Sequence, residues 1–251
     1  MMGRFTASRG ALVAALACAA ALGAPAHAGV TDKIRDGFFK HRGGESAGAP
    51  LARYVSEEGR VFVLDRTQPV PMLKFDDSPE VWVLLPSPAP RGDVIYKNDM
   101  GEPMLRATRL GGFTLFTDDR PNGEAVSIAG GCAPLRLMPM SPQAVFERLA
   151  QASLRASRAA HRPMLFEAEA TPASSALIAD AAVVTSLAII RLAGRDDGRR
   201  FLARISRVRF SEGKKASATL KDGILRIVVS PAEGLGGRPS SDRILKVTLA
   251  K

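Results

Sequence analysis

The sequence predicts an α+β fold: a strand-rich N-terminal half arranged as a meander or small barrel, then two packed helices and a C-terminal β-hairpin. Three observations carry this expectation. Residues 75–116 (FDDSPEVWVLLPSPAPRGDVIYKNDMGEPMLRATRLGGFTLF) alternate short β-branched and aromatic runs with closely spaced turn signals. Residues 141–192 hold two long apolar-patterned segments, each opened by a hydroxyl residue followed by proline, Ser141-Pro142 and Thr171-Pro172, as helix starts are. Residues 216–230 place Lys221-Asp222-Gly223 between two apolar runs, and Asp-Gly accepts the positive φ values that tight hairpin turns demand.

In chain order, residues 1–28 read as a secretory signal peptide. Arg4 and Arg9 precede an alanine-leucine run, and Pro25 and the small-residue signal Ala26-His27-Ala28 come before Gly29. The apolar run is shorter than the ~20 residues a membrane-spanning helix needs. Cys18 raises a lipoprotein alternative, although Ala15 stands where such a signal takes a bulky aliphatic residue. Removal of the leader leaves a mature chain with no transmembrane segment, exported and, on this reading, periplasmic.

Residues 29–53 are Gly-rich and polar, with a short helical turn over residues 31–39, and read as a flexible N-terminal segment. Residues 54–140 form the strand-rich region: strands over residues 60–65 and 70–75, a buried strand at VWVLLP (residues 81–86), further strands at residues 93–96, 103–110 and 113–116, then residues 123–130 and 135–138. Residues 141–251 form a helical and hairpin region, either one core with residues 54–140 or a separate one. In its first helix Val145, Leu149, Ala152, Ala156 and Ala159 make one stripe, and His161 stands at its end, where a cap is expected. Residues 177–192 are apolar nearly all round and read as a buried central helix. Residues 163–168 suit a short strand, and residues 199–205 have helical spacing before RVRF turns to alternation. Pro239-Ser240-Ser241-Asp242 looks like the start of a last helix, with a final strand as the alternative.

Several motifs touch on chemistry without completing it. Gly44-Glu45-Ser46-Ala47-Gly48 matches G-x-S-x-G, but a nucleophile elbow needs a strand running into it, and none precedes Ser46. The mature chain has two histidines, His41 and His161, and one cysteine, Cys132, so a zinc site of usual composition is not expected, nor any other metal or a cofactor. There is no phosphate-cradling loop, no dinucleotide fingerprint and no Asp-Thr/Ser-Gly; Asp65-Arg66-Thr67 does not replace the last. Cys132, in a Gly-Gly-Cys-Ala-Pro turn, reads as a packing residue, with a reactive thiol as the alternative.

Charge is the remaining lead. The chain carries a net charge of +10, and the last quarter supplies the excess, fifteen Lys and Arg against six Asp and Glu from Arg191 onward. The expectation is a non-enzymatic envelope protein that binds an anionic surface, or an envelope protein partner, through Arg199, Arg200, Arg204, Arg207 and Arg209, with nucleic acid set aside on compartment. The alternative is a periplasmic hydrolase with a carboxylate-based site near Asp77, Asp99 and Arg106.

Residues 73–116, with LKFDDSPEVWVL, RGDVIYKND and GEPMLRATRLGGFTLF, and residues 223–244, with a GRPSS segment, resemble a family of exported alphaproteobacterial proteins grouped as a domain of unknown function. The resemblance covers most of the mature chain. It implies a Gram-negative periplasmic setting and brings no catalytic residues with it.

Overall fold

In the computed structural model, residues 48–250 are described. The leader, the helical turn expected over residues 31–39 and all of the G-x-S-x-G string except Gly48 fall outside them.

The first half is a single antiparallel sheet. Strands β1 (Leu51–Ser56), β2 (Val61–Asp65), β3 (Met72–Phe75) and β4 (Val81–Val83) form one hairpin ladder, and β5 (Leu85–Pro88), β6 (Val94–Lys97), β7 (Pro103–Ala107), β8 (Phe113–Thr117) and β9 (Arg120–Gly130) form the next. Strand β9 returns to pair with β1, joining the two ladders in the order β4-β3-β2-β1-β9-β8-β7-β6-β5. The two edge strands are halves of one extended run, residues 81–88, divided only by Leu84. The first half of this run pairs with β3 and the second with β6, so the sheet nearly closes on itself. The expected strand at residues 81–86 is therefore a shared seam strand with two partners. Near-closure leaves only the short edges of β4 and β5, three and four residues long, open to pairing with other chains.

A barrel of this size has an interior that side chains can fill. Leu84 and Leu105 are fully buried there with Leu64, Leu73 and Leu115. Tyr54 stacks on Phe62 with ring centroids 5.5 Å apart and meets Phe113 edge-on at 5.1 Å. On β7, Leu105 and Ala107 face inward and Arg106 outward, as strand alternation requires.

The structure corrects two local expectations. Residues 51–53, placed by sequence in the flexible segment, are the first half of β1: all three pair with β2, and Arg53 also pairs with β9. Residues 135–138, expected as a strand, form none, because β9 already occupies the open side of β1. That segment is pinned by the Leu135 amide, which donates to the buried Asp65 carboxylate at 2.8 Å.

The second half is a helix-covered mixed sheet. Helix α1 (Pro142–Ala160) starts at Ser141, whose Oγ accepts from the Ala144 amide, and ends at His161 in the left-handed region with φ 52°. Helix α2 (Ser175–Ala193) buries thirteen of its nineteen residues. Its buried Thr185 and Ser186 hydroxyls donate to carbonyls in the preceding turn, of Ala181 and Val183, which satisfies them inside the core. Short α3 (Gly198–Leu202) leads to the sheet of β10 (Leu165–Ala168), β11 (Arg207–Glu212), β13 (Ile224–Val229) and β12 (Ser217–Lys221), in that order, with α4 (Ser241–Leu249) last. Strands β10, β11 and β13 run parallel; β12 and β13 form the expected hairpin, turned at Asp222 (φ 52°) and Gly223 (φ 76°). Met164, Phe166, Val208, Phe210, Leu225 and Ile227 face the helices and form the second apolar cluster with α2.

Candidate anion-binding face and a cleft at the seam

Because side chains alternate along a strand, the residues between those of the second apolar cluster stand on the opposite face of the four-stranded sheet. Register then fixes their neighbours. One row runs Leu165, Arg207, Ile224, Lys221, and the next Glu167, Arg209, Arg226, Thr219. No helix among the described residues packs on this face; the apolar contacts of α1, α2 and α4 are all with the other side. Within the strands it carries four cations, Arg207, Arg209, Arg226 and Lys221, against one carboxylate, Glu167.

Glu167 lies 3.4 Å from Arg207 and 3.3 Å from Arg209, whose side chains remain 46% and 36% exposed. One carboxylate shared by two guanidiniums leaves a surplus positive charge even before Arg226 and Lys221 are added. Exposed pairs of this kind are weak and yield to competing anions.

The five arginines singled out by sequence divide. Arg207 and Arg209 share the open sheet face. Arg199 and Arg200 are exposed on α3, with no ion pair among the described residues. Arg204 is engaged elsewhere: it donates to the Ala250 carbonyl at 2.7 Å and to that of Thr248 at 3.4 Å, at the C-terminal end of α4, where a cation suits the helix dipole. Arg226 and Lys221 were missed. Two signals could have found them, the alternation of ILRIVV, which turns Arg226 outward, and the Asp-Gly turn, whose register sets Lys221 beside Ile224.

The alternative trio does not come together. Asp99 accepts from Arg243 Nε at 2.7 Å and from the Ser240 amide at 3.2 Å, while Arg106 pairs with Asp93 on the neighbouring strand. The Arg106 guanidinium and the Arg109 amide hold the Asp93 carboxyl below the usual carboxylate range. Asp77 alone of the three borders a cleft of about 620 Å³ where one end of the barrel meets α2 and α4.

That cleft has a polar floor and an aromatic wall. Glu80, buried, accepts from the Ser241 amide at 2.9 Å and its hydroxyl at 2.6 Å, with Arg238 Nη1 3.7 Å away. Asp242 accepts from Arg191 at 2.7 Å and from the Asn98 amide group at 3.3 Å, and the same Asn98 nitrogen donates to Glu102 at 3.0 Å. Burial pushes both Glu80 and Asp242 upward in pKa, against the pull of Arg238 and Arg191 respectively. Phe75, Trp82 and Phe116 form the wall. Among the described residues no three His, Cys, Asp or Glu are grouped to hold a metal ion. Cys132 is half-buried and unpaired, its thiol pushed up by burial, so little of it is thiolate at neutral pH.

A family profile described as a domain of unknown function (DUF4908) matches residues 33–248. No curated protein and no solved structure matches the chain.

Proposed function

We propose that this chain, which belongs to the DUF4908 family of domains of unknown function, is a binding protein rather than an enzyme and docks on the anionic surface of a cell envelope. The observation that carries the reading is the open face of the second sheet, where Arg207, Arg209, Arg226 and Lys221 stand over one shared acid, Glu167. The face is broad and offers cations at strand spacing, with Ile224 between Arg207 and Lys221 and Leu165 at the outer end of the row, which suits a flat array of phosphate headgroups better than a single small ligand. The leader-like N-terminus read from the sequence supports this reading, because an exported chain would meet such a surface on the periplasmic side. The barrel then serves as scaffold, and the separation of Asp77, Asp99 and Arg106 leaves the hydrolase alternative without a common site.

Cations near an anionic bilayer contribute about 1 kcal/mol each, so reversing two of them should weaken binding by well over tenfold. Co-sedimentation of the mature protein with phosphatidylglycerol-containing vesicles should be strong at low salt, fall as salt rises, and be lost in Arg207→Glu/Arg226→Glu, with zwitterionic vesicles ignored throughout. Binding that is indifferent to salt, or unchanged in the double variant, would overturn the proposal.

A further inference from the structure

The cleft at the barrel end is charged against the trend of the molecule. The whole chain is strongly basic, yet the cleft is lined by five carboxylates and two guanidiniums. The two guanidiniums face other groups: Arg191 pairs with Asp242 at 2.7 Å, and Arg60 reaches the exposed Asp119 at 3.3 Å with its guanidinium carbon 5.6 Å above the Phe75 ring, so even with both counted the acids stay in excess. Glu80 is answered by Arg238 from behind the floor. This leaves Asp77, on the turn between β3 and β4, and Glu102, on the turn between β6 and β7, with no cationic partner among the described residues. Asp118, between β8 and β9, has only Arg191 at 3.9 Å.

Three such acids come from three different turns that barrel closure brings round one opening. Phe75, Trp82 and Phe116, with Met104 and Leu187, line the same cleft, alongside the polar Ser78, Asn98, Thr117 and Ser241. The combination specifies a ligand: separated negative charges need separated positive ones, and an aromatic and aliphatic wall needs methylene groups to cover it. Aromatic faces also attract ammonium groups directly. A volume of about 620 Å³ lies within the range of small-molecule sites. A compact metal ion would leave the wall uncovered, and a neutral polyol would leave the acids unanswered. We propose that this cleft binds an aliphatic di- or polyamine, with its ammonium groups at Asp77 and Glu102 and its chain along Trp82 and Phe116.

Titration calorimetry of the mature protein with putrescine and with spermidine tests this. Saturable binding of one amine per chain is expected, weakened at least about tenfold in Asp77→Asn/Glu102→Gln and several-fold in Trp82→Ala. Both acids are exposed, so their neutralisation leaves folding intact, and circular dichroism of each variant checks this. Glu169→Gln, an exposed acid beyond β10, should bind as the unmodified protein does. The proposal falls if neither amine gives saturable heat, if the double variant binds undiminished, if Glu169→Gln costs as much as the double variant, or if the neutral diol of equal chain length binds as well.

Discussion

Arg238 is 6% exposed and answers two carboxylates from distant parts of the chain, Glu80 and Asp180, while its Nη2 donates to the Val81 carbonyl at 2.8 Å. Removing one member of a buried ionic set leaves the others uncompensated in low dielectric, so Arg238→Ala should cost about 3–5 kcal/mol in urea unfolding. Neutralising its partners in the same chain, Glu80→Gln with Asp180→Asn, should recover part of that loss. The carboxyls nearby also set the direction of the pH response. Glu80 and Asp242 have folded-state pKa values raised by burial, so between the ordinary carboxylate range and those raised values the folded protein holds more protons than the unfolded one. Their contribution therefore grows as pH falls through that window. Asp93 has the opposite sign: its pKa is held low by Arg106, and its stabilisation is present above the unfolded value and lost as pH falls through the folded one. The melting temperature should accordingly peak on the mildly acidic side of neutrality, and Glu80→Gln/Asp242→Asn should flatten the rise on its neutral flank while leaving the acid limb in place.

The elements most legible in the sequence are those whose signals are local. Ser141-Pro142 caps α1, Ser240 accepts from the Arg243 amide to start α4, and Asp222-Gly223 turns the last hairpin, each through contacts within a few residues. Gly223 is the sharpest case: at φ 76° a Cβ would be strained and would also sit 3.0 Å from Ser206 Oγ. Gly223→Ala should destabilise by about 1 kcal/mol or more and, because the turn sets the register that places Lys221 and Arg226, should weaken vesicle binding as well. A variant that loses stability but binds normally would separate turn from face. What the sequence hid is non-local. Leu51-Ala52-Arg53 shows no clear alternation, and its strand state comes from pairing with β2 and, at Arg53, with β9. Residues 135–138 look like a strand but join no ladder; the distant Asp65 carboxylate holds the Leu135 amide instead. Arg207 and Arg209 were recoverable from the alternation of RVRF. The task of Arg204 was not, because it is assigned by the carbonyls of Thr248 and Ala250, more than forty residues away. Asp77 and Glu102 likewise come to line one cleft only through the barrel fold.

At the scale of the whole molecule, burial is divided between two apolar clusters, one inside the barrel around Leu64, Leu105 and Leu115, the other between α2 and the second sheet. Between them the long-range contacts are mainly polar: Glu80 to Ser241, Arg238 to Val81, Asp99 to Arg243, and Asn98 to Asp242. A neutral hydrogen bond contributes only about 1 kcal/mol net, because water competes for both partners; charged and buried ones contribute more. Cooperation between the halves should therefore rest on the ionic members of this seam. Trp82, the chain's single tryptophan, lies on β4 and reports the barrel, whereas far-ultraviolet circular dichroism is dominated by α1 and α2. In the unmodified protein the two signals should be lost together with denaturant, as for one cooperative unit. In Asn98→Ala/Arg243→Ala, which cuts two of the contacts without touching either apolar cluster, they should separate, the barrel and the helical half each following its own midpoint. If the two curves instead shift together to lower denaturant and stay superimposed, the halves are coupled by apolar contact across the seam, and its ion pairs only orient what packing already joins.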